Sequence, residues 1–367
     1  MVSTMSISSH VREQQRLWGG VPYPQHASSF PQLRYMGSKH RLLPWIHDIL
    51  ADVPFDSALD AFAGTACVAY LFKAMGKSVT ANDFLAFSHQ IALATIENST
   101  CRLSREDLAL VLRNNPDRSN FIERTFTGIF FTPEDLRFLD NAWANIPKLP
   151  SDAHRALAIA ALVRGCVKRQ PRGVFTVAGD PERYKDGRRD LRLSLAEHFV
   201  ESAGAYNAAV IDKGQPCRAL HQDVFKIDPE GFDLVYMDPP YVPRADDNCY
   251  IKRYHFLEGL ASYWRAEGTE ILAETKVKKV KKRYTPFSYR RTALDAFDTL
   301  FARFGRSILV LSYSSNGYPD LEQLLDLMGR YKADVHVYER DHRYHFGTHA
   351  NVSATRAAVR EYLLVGS

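Results

Sequence analysis

The sequence predicts an α/β fold in which a mainly parallel sheet is interrupted by a helical insertion. Two consecutive strand–turn–helix units occupy residues 57–97, and such units form parallel sheets. Residues 98–193 then carry apolar side chains at helical spacing, and strand-like apolar runs resume after residue 218. At 367 residues, the chain is long enough for a catalytic domain and a second, smaller domain.

The two units at the start of the sheet are well marked. The first consists of an apolar run at 57–62, a turn at Gly64 and a helix-compatible segment at 66–75. The second begins with a strand candidate at 78–82, which ends at Asp83 and is followed by a helical pattern. We therefore expect the ends of these two strands to lie side by side.

The middle block ends in a Gly-, Pro- and Arg-rich stretch, 164–192, whose weak periodicity predicts an exposed loop or hairpin. Later strand candidates lie at 219–225, 232–237, 307–312 and 360–365. We predict a flexible leader (1–30), a catalytic domain built from two segments (31–97 and 194–367) and an inserted, mainly helical domain (98–193).

The composition excludes several classes of protein. No apolar stretch approaches the roughly 20 residues that a membrane span needs, so we expect a soluble protein without a membrane partner. The net charge of +5 permits a polyanionic partner but does not require one. The cysteines are widely spaced without a C-x-x-C pair, which argues against disulfides or a zinc knuckle and favours a reducing cytoplasm. His342, His345 and His349 are better interpreted as surface or strand histidines than as ligands, so no metal is expected.

The clearest chemical motif is Asp238-Pro239-Pro240-Tyr241, directly after an apolar strand candidate. Ligands of open α/β sheets bind at the carboxyl ends of strands, where this motif lies. The prolines fix φ and donate no backbone hydrogen bond, so a carboxylate and nearby carbonyls form a rigid array of acceptors. Such an array suits an NH2 group with its two donors, and Tyr241 offers a face for stacking a base. In isolation, the tetrapeptide could also be a proline-stiffened turn with a surface tyrosine.

A second motif lies at the end of the first strand candidate, where Asp60 and Phe62 precede Gly64. A glycine there permits a tight turn and close approach of a ligand to the backbone. Asp83 follows the next strand, roughly 20 residues on, where an acidic side chain can reach a pair of ribose hydroxyls. A purely structural α/β unit, with Asp83 in an ordinary turn or as a helix cap, is the alternative.

These segments, in this order, resemble the Dam-type (alpha-group) N6-adenine-specific DNA methyltransferases, from about residue 32 to the C-terminus. The tetrapeptide Asp238 to Tyr241 matches the catalytic motif of that family in full. The resemblance implies a Rossmann-like S-adenosylmethionine-dependent methyltransferase sheet, in which the insertion recognises double-stranded DNA. The cofactor-binding residues that it implies are Tyr35, Gly37, Lys39, Asp60, Phe62, Gly64, Asp83 and Asp223.

The same resemblance implies that an adenine is flipped out of the duplex and receives a methyl group on N6. It would stack on Tyr241 and donate hydrogen bonds to Asp238 and to the carbonyl of Pro239. One departure from the family is Ala66, which stands where the glycine motif often has a second glycine.

Two basic stretches are candidates for DNA contact. The first lies at the end of the insertion and contains Arg164, Lys168, Arg169 and Arg172. The second, which we call the lysine run, contains Lys278, Lys279, Lys281 and Lys282. They could bind phosphates or, in the insertion, read guanine edges. A solvated basic face is the alternative for the lysine run.

The alternatives within the enzyme class are methylation of cytosine N4, of RNA adenine or of a protein glutamine. Outside it, the alternative is a DNA- or cofactor-binding relative that has lost catalysis, against which the intact motif at Asp238 argues. We expect a monomer, with a cognate restriction endonuclease as a candidate partner.

Overall fold

The computed structural model describes residues 21–178, 187–242, 249–343 and 358–367. Within these ranges the strands are β1 Ser57–Asp60, β2 Ser78–Asn82, β3 Cys217–Leu220, β4 Leu234–Met237, β5 Ile308–Ser314, β6 Val335–Arg343 and β7 Ala358–Gly366. They form one sheet in the order β3-β2-β1-β4-β5-β7-β6. Strands β1 to β5 pair in parallel, and β7 runs antiparallel between β5 and β6. This topology confirms the α/β class and the Rossmann-like sheet.

Burial explains which strands the sequence reveals. The central strand β4 is buried along its whole length, which accounts for its unbroken apolar sequence. By contrast, β6 lies at the edge of the sheet, and from Glu339 onward it consists of charged residues and one histidine, as is common on edge strands.

Helices cover both faces of the sheet. Their bounds are α1 Gln25–Ser28, α2 Leu43–Leu50, α3 Cys67–Ala74, α4 Ala86–Ala92, α5 Arg105–Leu112, α6 Phe121–Phe126, α7 Pro133–Asn145, α8 Asp152–Arg169, α9 Arg189–Arg192, α10 Leu195–Ala209, α11 Tyr250–Leu260, α12 Arg290–Arg303 and α13 Leu321–Met328. Apolar side chains of α12 and α13 pack with Val235 and Met237 on one face. On the other face, α3, α4, α8 and α10 share a core with Ala58 and Tyr236.

The helices α5 to α9 lie within the predicted insertion between β2 and β3, and α10 follows it directly before β3. Their core is continuous with that of the sheet, because α8 packs against both α4 and α10. After α8, the backbone N–H of Phe175 donates to the carbonyl of Arg253 at 2.8 Å, which anchors this segment to α11. The domain boundaries at residues 98 and 193 remain a prediction.

The predicted loop from residue 164 is wrong in its first part, because α8 continues to Arg169. Gly165 lies where α10 packs closely against α8: a Cβ at this position would lie only 3.3 Å from the Cβ of His198. A glycine next to arginines therefore marks close helix packing here and not the start of a loop.

Part of the predicted leader packs on the domain. Ala27 and Phe30 are buried, and the ring of Phe30 lies 4.5 Å from that of Tyr70, centroid to centroid. The packed chain therefore begins before the predicted boundary at residue 30, while residues 1–20 lie outside the described part. Of the helices described, none combines the length and the apolar character needed to cross a membrane.

Candidate active site

A cavity opens at the carboxyl ends of β1, β2 and β4. The residues that line it come from the segment before α2, the turn after β1, the loop after β2 and the catalytic tetrapeptide. Those among them that the sequence predicts for the site are Tyr35, Gly37, Lys39, Asp60, Phe62, Gly64, Asp83, Asp238 and Pro240. The fold thus brings together segments that are up to about 200 residues apart in the chain.

Asp60, the last residue of β1, is almost fully buried beside the cavity. Its Oδ2 accepts a hydrogen bond from the backbone N–H of Ala69 at 3.0 Å. Burial raises the pKa of the Asp60 carboxyl to about 8, against the effect of that hydrogen bond. Near neutral pH this carboxyl is therefore largely protonated.

The turn between β1 and α3 is shaped by close contact with Tyr35. Gly64 has φ +53°, and a Cβ on it would lie 3.1 Å from the Tyr35 ring, so only glycine fits there without strain. Ala66 caps the N-terminus of α3 with φ +60°, a left-handed conformation that favours glycine. At the position where the family's glycine motif often has a second glycine, the backbone therefore has a conformation typical of glycine, although the residue is Ala66.

Asp83, at the end of β2, holds the loops on both sides of the cavity. Its Oδ2 accepts from the N–H of Gly64 at 2.7 Å and its Oδ1 from the N–H of Leu85 at 2.8 Å. Burial raises its pKa to about 6, against these backbone hydrogen bonds. Asp83 therefore holds the turn after β2 but does not cap α4, whose N-cap is Leu85, and its side chain also lines the cavity.

The catalytic motif is connected to the N-terminal segment by an ion pair. The ammonium of Lys39 lies 2.8 Å from Oδ1 of Asp238, and it also donates to the carbonyl of Gly37 at 3.1 Å. The side chain of Lys39 is 3% exposed and that of Asp238 is 19% exposed. Burial raises the pKa of Asp238 above its usual range, and Lys39 opposes this shift. One carboxylate oxygen thus pairs with a cation while the side chain still reaches the cavity.

Two tyrosines of α11 also build the site, and the sequence analysis missed them. The ring of Tyr35 stacks on Tyr254 at 4.9 Å and lies 5.3 Å from the ring of Tyr250. The hydroxyl of Tyr254 accepts from the N–H of Met36 at 2.8 Å, and that of Tyr250 donates to the Met36 carbonyl at 3.2 Å. Their i, i+4 spacing after the catalytic motif would have indicated a shared helix face.

Tyr241 packs against the end of β5. Its ring meets that of Tyr313 edge-on, with centroids 5.3 Å apart. Gly317 allows this arrangement, since a Cβ there would lie 3.0 Å from Cδ2 of Tyr241. Pro239 is buried beneath the motif, whereas Pro240 reaches the cavity.

Asp223 lies apart from the residues that line the cavity. It is exposed after β3, and its Oδ1 accepts from the N–H of Phe225 at 3.0 Å, which caps a short 3-10 turn. The ring of Phe225 stacks on Phe287, and Phe287 packs edge-on against Phe62 of the cavity. These rings place the segment of Asp223 next to the cavity wall.

Three of the basic residues predicted for DNA contact make internal contacts. Arg164 donates to the carbonyl of Gln32 and to Ser202, Lys168 pairs with Asp190 and Glu201, and Arg169 binds Asp135 and the carbonyl of Leu191. Arg172, by contrast, is exposed beyond the end of α8. Of this group, Arg172 is therefore the best placed to meet an external partner.

The lysine run forms an irregular hairpin closed by a bridge between Ile271 and Val280. Lys278 has φ +52° and donates to the carbonyl of Ala273 at 2.6 Å, and Lys279 is half-buried. Lys281 and Lys282 are exposed.

Arg283 ends this run and connects it to the loop after β2, which lines the cavity. It pairs with the buried Glu258 of α11 and donates to the carbonyl of Phe84 at 3.2 Å. Since Phe84 follows Asp83 directly, the basic hairpin and the loop after β2 share one anchor.

The comparison with protein families decides among the functions that this geometry allows. A model of the D12 class N6 adenine-specific DNA methyltransferases matches residues 35–313, which is most of the chain. The chain belongs to this family. The D12 enzyme is therefore a site-specific methyltransferase of adenine N6 in DNA, and the family implies S-adenosylmethionine as its methyl donor.

Three curated relatives agree with this assignment. The type II methyltransferase M2.HphI of Haemophilus parahaemolyticus is 30% identical over 86% of this chain and 92% of its own length. The modification methylases LlaI of Lactococcus lactis and StsI of Streptococcus sanguinis are 23% and 26% identical. The matches extend over 90% and 82% of this chain but only 54% and 47% of those two relatives, about half of their length.

Within the described ranges, the D12 enzyme has no group of three or more His, Cys, Asp or Glu side chains arranged to hold a metal ion. His342 lies on β6, and His345 and His349 lie outside these ranges.

Proposed function

We propose that the cavity binds S-adenosylmethionine and that the adjoining motif, Asp238 to Tyr241, receives an adenine flipped out of duplex DNA. The observation that carries this proposal is the contact between Lys39 and Asp238. It joins the segment expected to bind the cofactor to the carboxylate expected to bind the base. The methyl donor and the acceptor amine would therefore meet at one place.

The chemistry of the cavity fits this cofactor. Three carboxyl groups, those of Asp60, Asp83 and Asp238, line it together with one ammonium, that of Lys39. A cofactor whose sulfonium and amino groups are cationic would favour the ionised form of all three carboxyl groups, including that of Asp60, which burial otherwise keeps largely protonated. In addition, Oδ1 of Asp60 is buried and has no hydrogen-bond partner among the described residues, so it is available to a donor of the cofactor.

The roles within the cofactor site follow from these positions. Asp60, Phe62 and Gly64 would form its floor, and Asp83 would hold the ribose hydroxyls. Tyr35 and Lys39 would close over it, with Gly37 in the same turn. Asp223 would approach the adenine ring of the cofactor, supported by the neighbouring aromatic contacts of Phe225.

The protein contributes mainly by positioning the acceptor. When bound, the cofactor supplies a methyl group that its positive sulfonium already activates, so orientation is the main requirement left. The Asp238 carboxylate and the Pro239 carbonyl would accept the two N6 hydrogens, which favours a pyramidal, nucleophilic nitrogen. Stacking on Tyr241 would return about 1–3 kcal/mol of the few kcal/mol that flipping costs.

Arg164, Lys168, Arg169 and Arg172 of the insertion, with the lysine run, would contact the DNA. Because the first three make internal contacts, Arg172 is the stronger candidate in the insertion, and the exposure of Lys281 and Lys282 favours these two in the lysine run. The names of the relatives support a role in modification beside a restriction endonuclease. The monomeric state remains a prediction.

The test is product analysis. The full chain is incubated with plasmid DNA and methyl-labelled S-adenosylmethionine, the DNA is digested to nucleosides, and the methylated positions are mapped by sequencing. We expect label only in N6-methyldeoxyadenosine, at one recurring sequence. Label in N4-methyldeoxycytidine, or incorporation only into RNA or protein, would overturn the proposal.

A further inference from the structure

A stacked pair of tyrosines, of which Tyr284 is exposed and Tyr289 is half-buried, lies beside the lysine run. Tyr284 is 61% exposed and stacks on Tyr289, with centroids 5.4 Å apart and ring planes 13° from parallel. A single exposed aromatic residue is common on protein surfaces. This pair, however, is followed in the chain by Arg290, which contacts Tyr318. We call Tyr284, Tyr289, Arg290 and Tyr318 the tyrosine rim.

The tyrosine rim begins next to the catalytic motif. The guanidinium of Arg290 lies 4.5 Å from the ring centroid of Tyr318. The backbone N–H of Tyr318 donates to the carbonyl of Val242 at 3.1 Å, and the preceding Gly317 packs against the Tyr241 ring. The rim therefore starts beside the ring on which the target adenine is expected to stack.

The segment that carries the other two rings of the tyrosine rim, Tyr284 and Tyr289, also packs against a residue of the cavity. Between Tyr284 and Tyr289 in the chain, Phe287 packs edge-on against Phe62, with centroids 5.3 Å apart. The exposed end of the lysine run, residues 281–282, comes shortly before Tyr284. The rim thus connects Tyr241, the cavity and a cationic surface.

This combination matches the chemistry of nucleotides. Bases stack on aromatic rings, and cations beside those rings attract the phosphate backbone. When one base is flipped out, its neighbours in the strand lose a stacking partner. An aromatic surface that adjoins the flipped base is therefore well placed to replace it.

We propose that Tyr284 and Tyr289 stack on a nucleotide that flanks the target adenine in the flipped complex with duplex DNA. The inference rests on the proposed function, because it requires an adenine held at Tyr241. It adds a DNA-binding surface outside both the insertion and the lysine run.

The test compares Tyr284→Ala, Tyr284→Leu and Tyr284→Phe with Val200→Ala, a control at an apolar residue that is also exposed (41%). The probe is a duplex that carries the mapped methylation site, with 2-aminopurine next to the target adenine. Dissociation constants are measured by anisotropy over a range of salt concentrations, and 2-aminopurine fluorescence reports the stacking of the flanking base.

We expect Tyr284→Ala and Tyr284→Leu to bind about fivefold to a hundredfold more weakly, which corresponds to one stacked base, and to give a brighter flanking 2-aminopurine. The salt slope should stay parental, because every phosphate keeps its cationic partner. Tyr284→Phe and Val200→Ala should bind like the parent. Binding by Tyr284→Ala within twofold of the parent, or equal weakening by Tyr284→Phe, would overturn the inference.

Failure of this inference can be distinguished from failure of the proposed function. If the parent enzyme produces no N6-methyladenine, the proposed function fails whatever Tyr284 does. If Tyr284→Ala still methylates adenine at saturating DNA but binds DNA like the parent, only the inference about the tyrosine rim fails.

Discussion

The ammonium of Lys39 lies 2.8 Å from Oδ1 of Asp238, although 199 positions separate the two residues in the sequence. An ion pair of this kind fixes the rotamer of the carboxylate and keeps it ionised in a poorly solvated site. A carboxylate held in this way is ready to accept a hydrogen bond from a neutral amine. Changes at either residue should therefore affect methyl transfer.

The first prediction concerns Asp238 itself. Asp238→Asn keeps the shape of the side chain but replaces a charged acceptor by a weaker, neutral one, and it can present a donor to the N6 hydrogens. We expect turnover to fall by about a hundredfold or more, equivalent to about 3 kcal/mol, with folding preserved. The measurement is single-turnover methylation at saturating DNA and cofactor, beside the melting temperature. A rate within a few-fold of the parent would show that Asp238 only caps a turn.

The second prediction concerns pH and Lys39. Lys39 opposes the rise in the pKa of Asp238, so Lys39→Met should raise that pKa further. If the ionised carboxylate accepts the amine hydrogens, the acid limb of the single-turnover rate should move to higher pH. Lys39→Arg, which keeps the charge, should retain a profile close to that of the parent. An unshifted acid limb in Lys39→Met would separate the ion pair from catalysis.

A third prediction follows from the buried Asp60. Its pKa of about 8 leaves it largely protonated at pH 7, and a cationic ligand nearby favours the ionised form. Binding of S-adenosylmethionine should therefore release up to about one proton, and cofactor affinity should rise with pH up to about 8. Calorimetry in two buffers of different ionisation enthalpy measures this release. Asp60→Asn should abolish it, and equal release by parent and variant would assign the proton to another group.

The fourth prediction divides the lysine run. Lys281 and Lys282 are exposed, whereas Lys278 donates to a carbonyl of its own hairpin. Neutralising Lys281 and Lys282 should weaken binding to all duplexes alike and flatten the log–log salt dependence by up to about 0.9 for each phosphate that they neutralise. Neutralising Lys278 should have a smaller effect on the slope. Retention of the parental slope in the double variant would identify the run as a solvated face.

The fifth prediction contrasts two arginines near the end of α8. Arg169 pairs with Asp135, which is 3% exposed, so Arg169→Ala leaves a buried charge without its partner. Such a change typically costs about 3–5 kcal/mol, which urea unfolding would detect. Arg172→Ala should leave the free energy of unfolding unchanged and instead alter DNA affinity or the set of methylated sites. The reverse pattern would move sequence recognition to Arg169.

The sequence predicts those parts of the fold that burial makes conspicuous. Strands β1, β4 and β5 carry apolar runs because both of their faces are largely covered, and short motifs mark where β1, β2 and β4 end. The sequence analysis missed β6, whose exposed charged residues interrupt the apolar pattern at the sheet edge. Within the site, it predicted the groups that carry chemistry but not the partners that hold them. The contacts of Lys39 with Asp238 and of Tyr254 with Met36 join distant segments, and no local pattern records such pairs.

The continuity of the core through α8 limits how DNA recognition in this enzyme could be changed. An exchange of the whole insertion with that of a relative would also replace a helix that must fit α4 and α10, so most such hybrids would lose packing along with specificity. If the insertion recognises DNA as proposed, new specificity is more accessible through single exposed positions such as Arg172, whose replacement leaves that core intact. Such positions can diverge one at a time while the helices beneath them stay fixed.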